Sequence, residues 1–225
     1  DANGNAFLYP MFAENRRLER RPEVLEAVKK AGFSLNKTVD LSAPEKDDLF
    51  LAGTGSIIFD LDKKLTYGSV SLRLNEQLFR DLCEKIGYEP VIFHSFQTAN
   101  GERLPIYHTN VMMCVAEQFV VICLDCIDSE IEREKVQEVI KSTNKELIEI
   151  SEDQLQQFAG NMLQVQNEEG TQFLVMSETA YKALTKEQIQ KIESYCEIIY
   201  ADLNSIEVNG GGSARCMLAE VYLPK

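Results

Sequence analysis

The order of predicted elements constrains this chain more than any single motif: two β-runs, an amphipathic helix and a third β-run follow one another, and the pattern then recurs. In the clearest copy, Ser56 to Asp60 and Leu65 to Ser71 flank the polar turn Leu61-Asp62-Lys63-Lys64, which reads as a hairpin. Asn75 then caps a helix whose apolar face is Leu78, Leu82 and Ile86, and Gly87 supplies its left-handed stop. Pro90 to Phe96 closes the unit as a strand.

A second copy predicts strands over Tyr107 to Val115 and Gln118 to Leu124 and a helix from Ser129. Ser129 and Glu132 form its capping box, Ile131, Val136 and Ile140 its apolar face, and Leu147 to Ile150 its closing strand. A third pairs Met162 to Gln166 with Gln172 to Met176 around Asn167-Glu168-Glu169-Gly170. Helices begin near Ser177 and Thr185, the latter boxed with Gln188, and Glu197 to Ala201 returns as a strand. Ahead of these, Phe7 to Met11, a helix from Pro22 to Ala31 stopped by Gly32, and a strand near Thr38 to Leu41 read as a unit lacking its first strand. Arg215 to Leu223 is expected as a last strand. Such a repeat predicts α/β units around a centre, with mixed sheet pieces and outer helices. No Pro-, Gly- or Ser-rich linker interrupts it, so residues 1–225 are expected to form one domain. With Asp at position 1, that domain is expected to be incomplete at its N-terminus.

With 44% hydrophobic residues the chain can fill a core. Its 23 basic and 36 acidic side chains leave a net charge of −13, which repels phosphate backbones and anionic lipid. Nucleic acid and membrane are therefore not expected partners, and no apolar run approaches the ~20 residues that span a bilayer. A cytoplasmic protein with reduced thiols is expected, since its six cysteines are scattered through a chain too large to need staples.

The chain has two histidines, so the search for a neutral-pH acid/base is short. His94 falls in an alternating run where a packed or surface role is the plainer reading. His108 lies in Tyr107-His108-Thr109-Asn110, and strand periodicity would aim His108 and Asn110 at one point. The stretch Asn209-Gly210-Gly211-Gly212-Ser213-Ala214-Arg215-Cys216 brings a thiol to the mouth of a predicted strand behind three glycines. Arg215, a histidinium or a bound cation would each stabilise its thiolate there; a buried strand cysteine after a flexible loop is the alternative. Cys123 and Cys126 have CxxC spacing but no second pair, so neither zinc nor redox chemistry is expected. The cluster Asn15 to Arg21 is either a solvated approach to a helix or a carboxylate clamp.

Taken together, GTGS at Gly53 to Ser56, YHTN at Tyr107 to Asn110, AGNM at Ala159 to Met162, GGGSARCMLAE at Gly210 to Glu220 and LYPMFAENRR at Leu8 to Arg17 resemble the amidinotransferase and deiminase (pentein) superfamily. The likeness is greatest to its citrulline-utilisation hydrolase branch and covers nearly the whole chain. It implies a pentein-type α/β propeller, five blades of the same repeated unit around a central site, of which this chain would lack the first. It implies a metal-free, cofactor-free hydrolase of a guanidino or ureido amino acid. Cys216 would be the nucleophile that forms a covalent thioester-like adduct, of thiouronium or thiocarbamoyl type. His108 would be acid and then base. Asn110, Asn161, Arg16 and Arg73 are the candidate substrate contacts. Asn110 stands where arginine deiminases carry aspartate, which favours a neutral ureido group such as that of citrulline. Ala52 stands where members usually carry glutamate. Amidino transfer to an amine, and a noncatalytic pentein that binds or scaffolds, are the rival readings; a homo-oligomer is compatible with any of them.

Overall fold

A parallel third strand cannot follow a hairpin without a crossover, and a helix is the compact way to make one. That rule generates most of this fold. The computed structural model describes residues 1–225. At its start β1 (Asn5–Leu8) pairs in parallel with β2 (Lys37–Asp40), after α1 (Glu14–Arg17) and α2 (Pro22–Lys30) have carried the chain back. Next, β3 (Ile57–Asp60) and β4 (Leu65–Ser69) run antiparallel, and α3 (Glu76–Ile86) returns the chain for β5 (Glu89–Phe93) to pair in parallel with β4. A separate hairpin, β6 (Phe96–Ala99) and β7 (Glu102–Pro105), intervenes.

The unit then recurs as β8 (Met113–Val115), β9 (Phe119–Ile122), α4 (Glu130–Ser142) and β10 (Glu146–Glu149), with the same antiparallel and parallel pairings. After α5 (Glu152–Gln156) it recurs again as β11 (Leu163–Gln166), β12 (Gln172–Ser177), α6 (Glu178–Ala183), α7 (Lys186–Glu193) and β13 (Glu197–Ala201). Two helices, α8 (Asn204–Gly210) and α9 (Ala214–Met217), complete the regular structure. The result is an α/β fold of five separate sheets, three of them built from the complete repeat.

Local chemistry sets the helix boundaries. Asn75 Oδ1 accepts from Leu78 N at 3.1 Å to start α3, which buries Phe79, Leu82 and Cys83. Each fully buried apolar side chain of this size contributes about 1.5–3 kcal/mol. Thr185 and Gln188 complete the expected capping box of α7. The inner faces merge into one core that runs from Tyr67 and Phe93 through Phe119 and Val121 to Leu174 and Ile192. A smaller cluster under α3 joins Leu51, Ile57, Leu74 and Phe79 to Phe7 and Tyr9 of the first segment.

Several expectations are corrected. Tyr107 to Val115 is not one strand: Thr109–Val111 forms a 3-10 turn, so His108 and Asn110 do not share a strand face. Arg215 to Leu223 is not a strand either; Cys216 lies in α9, and beyond it a single backbone bond, Ser34 N to Pro224 O at 2.6 Å, ties the segment down in place of a ladder. The strand expected to run on to Phe96 ends at Phe93, which leaves His94 exposed. Ser129 caps α4, but Glu132 spends its carboxylate on the His94 backbone N–H and ring, not on the box. Ile131 is 80% exposed, so the buried face of α4 rests on Val136 and Ile140.

Candidate active site

The motif residues occupy equivalent places in successive repeats. The 3-10 turn Gly53–Gly55 lies just ahead of β3, His108 and the turn Thr109–Val111 just ahead of β8, and Ala159 to Met162 just ahead of β11. Such positions let polar backbone and side chains converge where neighbouring units meet.

The Thr109 hydroxyl couples the first two of these loops, donating to Ser56 O and accepting from Ser69 N at 2.9 Å. His108 precedes the turn with extended backbone. Its imidazole lies against Gly55, where an added Cβ would stand 3.0 Å from Nδ1; the second glycine of GTGS therefore makes room for the ring. On the other side Nε2 is 3.5 Å from Arg73 Nη1. A guanidinium has no acceptor, so the nitrogen facing it carries the lone pair. Burial, then Arg73, then Arg16 push the His108 pKa down from its ordinary value to about 4, and the ring is neutral at pH 7. Arg73 is its one side-chain hydrogen-bond partner, and Ala52, buried beside the GTGS turn, offers no carboxylate.

Arg73 is held in the site by aromatic faces, with its guanidinium 4.8 Å from the Tyr107 ring centre and 6.0 Å from that of Phe12. Its backbone oxygen accepts from Ala52 N and Ser56 Oγ. Arg16 is exposed and paired with Glu19 at 2.5 Å, so it reaches His108 through its field alone.

Cys216 is the one exposed cysteine of six. Asn161 Nδ2 lies 3.2 Å from its sulfur and Asn110 Nδ2 lies 3.7 Å from it. Asn110 is buried, and its Oδ1 has no hydrogen-bond partner. Arg215, expected as a candidate charge for the thiol, is turned away to Glu220 at 2.8 Å and to Leu218 O. The loop before the sulfur is anchored twice. Tyr107 OH donates to Gly211 O at 3.1 Å, and Ser213 Oγ donates to Glu207 Oε1 at 2.6 Å, while Thr179 Oγ1 donates to the other carboxylate oxygen. The Tyr107 ring sits 5.0 Å from the imidazole, so one side chain borders both the histidine and the cysteine loop.

The structure thus gathers Asn110 and Asn161 at the Cys216 sulfur, and His108 with Arg73 beside the Tyr107 ring. Sequence reasoning missed Tyr107 and Glu207. The tyrosine adjoins the histidine and was available as a candidate; nothing in the local sequence of Glu207 marks it, because its partners are 6 and 28 residues away. The CxxC sulfurs lie 3.1 Å apart and fully buried, Cys126 in a 3-10 turn and Cys123 just ahead of it. No group of three His, Cys, Asp or Glu side chains converges as metal ligands.

Comparison with known proteins gives this geometry a context. The family model described as N,N dimethylarginine dimethylhydrolase, eukaryotic, matches residues 1–223. No curated protein matches the chain. Among solved structures, the N-terminal domain of ArgZ, an arginine dihydrolase of the ornithine-ammonia cycle in cyanobacteria, in a Cys-to-Ser mutant bound to substrate, aligns with a TM-score of 0.71 at 16% identity, covering 98% of this chain and 72% of that one. Apo ArgZ aligns at 0.70 and 16% identity, covering 95% of this chain, which spans 29% of the ArgZ chain. Dimethylarginine dimethylaminohydrolase from Pseudomonas aeruginosa, a Cys-to-Ser mutant complexed with citrulline, aligns at 0.59 and 19% identity, covering 95% and 69%. At such identities the likeness is one of fold.

Proposed function

The chain belongs to the eukaryotic N,N-dimethylarginine dimethylhydrolase family, within the pentein superfamily, and from that premise we propose that it hydrolyses a C–N bond of a guanidino or ureido amino acid. On this reading the repeated units are blades of a pentein propeller, and the three turns ahead of their first strands form its central site together with the loop that carries Cys216. The carrying observation is the orphaned Asn110 Oδ1: a buried acceptor, on the same carboxamide that approaches the Cys216 sulfur, awaits an N–H donor. A buried unpaired oxygen costs about 1–3 kcal/mol, and a bound guanidino or ureido N–H would recover it. Because asparagine is neutral, the pocket gains less from a full guanidinium than a carboxylate would, which favours a ureido substrate such as citrulline.

The chemistry follows from the charges. Once Arg73 turns to the substrate's carboxylate, the freed Nε2 lone pair of the neutral His108 takes the thiol proton as the sulfur adds to the central carbon, and the resulting imidazolium is a strong donor because its pKa is low. It protonates the departing amine as the C–N bond breaks and leaves a covalent adduct on Cys216. Water then adds while the neutral ring accepts its proton, and the proton returns to sulfur as the adduct leaves. Arg73, with Arg16 at the rim, is suited to the substrate's carboxylate through paired N–H donors. A carboxylate there would also offset the field that disfavours imidazolium.

Citrulline, arginine, an N-methylated arginine and agmatine, assayed for released ammonia or amine, test the reading. Turnover should vanish in Cys216→Ser and rise in Ala52→Glu, which places a carboxylate near the imidazole. An amine acceptor that diverts the product would mark amidino transfer, which the open sulfur permits. The absence of a carboxylate beside His108 favours one further reading, a binding protein that has lost its chemistry. No turnover by either the wild type or Ala52→Glu, together with free-thiol labelling of Cys216 by a haloacetamidine, would select that reading and end the hydrolase proposal.

A further inference from the structure

We propose that the Asn161 carboxamide is a catalytic group, the hydrogen-bond donor that orients the Cys216 sulfur and stabilises its thiolate; this rests on the hydrolase reading only for the use made of that thiolate. Asn161 is 2% exposed. Its Nδ2 donates to Asn110 O at 2.9 Å and lies 3.2 Å from Cys216 Sγ, while its Oδ1 accepts from Cys216 N at 3.4 Å. These partners dictate which way the amide points. A backbone carbonyl can only accept and a backbone N–H can only donate, so Nδ2 faces Asn110 O and Oδ1 faces the Cys216 amide. The second Nδ2 hydrogen is then directed at the sulfur, and the carboxamide has no further N–H with which to bind substrate.

A donor aimed at a sulfur favours its charged form. The other sources of positive charge are absent from the thiol: Arg215 is committed to Glu220, and Arg73 faces the imidazole. Asn110 Nδ2, at 3.7 Å, is a second and weaker donor. The thiolate of this site is therefore held by carboxamide dipoles fixed in the turn ahead of β11, not by a neighbouring cation.

The test is the pH dependence of Cys216 alkylation by iodoacetamide in the full chain, read on the Cys216 peptide by mass spectrometry, for wild type, Asn161→Ala and Asn161→Asp. Both substitutions should slow alkylation near neutrality roughly tenfold and move its onset to higher pH. Asn161→Asp keeps the acceptor for Cys216 N but replaces the donor at sulfur with an oxygen, so it should move furthest. Identical titrations in all three proteins overturn the proposal. Should the variants unfold, the unsubstituted protein answers: the Asn161 side-chain amide resonance should follow the Cys216 titration and lose that step in Cys216→Ser, and a flat resonance in the unsubstituted protein refutes the assignment. None of these measurements needs turnover. A chain that hydrolyses nothing yet shows the shifts contradicts the hydrolase reading and leaves standing the assignment of Asn161 as the donor to the Cys216 sulfur.

Discussion

At the scale of single residues, the acid/base is defined by what surrounds it more than by its identity. His108 is pressed between Gly55 and Arg73 with no carboxylate partner, and its folded-state pKa of about 4 lies below the ordinary 6.5. As pH falls, the unfolded chain binds the proton first. The stabilisation is therefore complete above about 6.5, is lost progressively down to about 4, and changes no further below that. Urea denaturation across this window should show roughly 3 kcal/mol more loss in wild type than in His108→Gln; equal pH slopes would mean that the ring is not held neutral. The candidate site was partly legible at this scale. Cys216, Asn110 and Asn161 were each visible in a motif, and all three meet at one sulfur. The role of Asn161 was not, because a motif gives no direction to a carboxamide; the carbonyl of Asn110 and the N–H of Cys216 do.

At the scale of elements, periodicity found every strand of the three complete repeats, because each alternates or runs apolar beside a turn signal and the caps at Asn75, Ser177 and Thr185 are chemical. It failed where tertiary contacts decide the backbone. Tyr107 to Val115 is β-rich, yet the pull of Ser56 and Ser69 on the Thr109 hydroxyl folds its centre into a turn. Gly160 shows how closely such turns are stacked. A Cβ there would stand 2.4 Å from Val111 O and 2.8 Å from Met112 C, against backbone that cannot rotate aside. Gly160→Ala should therefore cost about 1–3 kcal/mol by overpacking and displace the turn that carries Asn110. Its urea midpoint should fall with an unchanged slope, and alkylation of Cys216 should change in the same protein; a midpoint like that of wild type would show that the two turns are not in contact.

Across the whole molecule, the repeats must be locked to one another for four loops to meet, and one lock is ionic. Asp60, the last residue of β3, pairs at 3.2 Å with Lys145, which precedes β10 of the next repeat, and the two side chains are 0% and 4% exposed. Lys145 Nζ also donates to Ala116 O at 2.6 Å, in the turn between β8 and β9, so it spans the joint between units. The other Asp60 oxygen has no partner, and neither does the buried hydroxyl of Tyr67. No periodicity could have shown this pair, since its members lie in elements that read as independent copies. Charges taken this far out of water are held by each other and by few hydrogen bonds, so the arrangement is worth less than its Coulomb attraction and costs much more when halved. Lys145→Met should therefore destabilise the fold by about 3–5 kcal/mol, whereas Lys145→Met with Asp60→Leu should recover most of that, because two apolar side chains restore packing without a stranded carboxylate. The comparison belongs in a denaturation series read by both circular dichroism and Cys216 alkylation. If the pair locks neighbouring repeats, alkylation and melting shift together in the single variant and return together in the double; a single variant as stable as wild type would show that the joint is held by the apolar contacts between β3 and β8 alone.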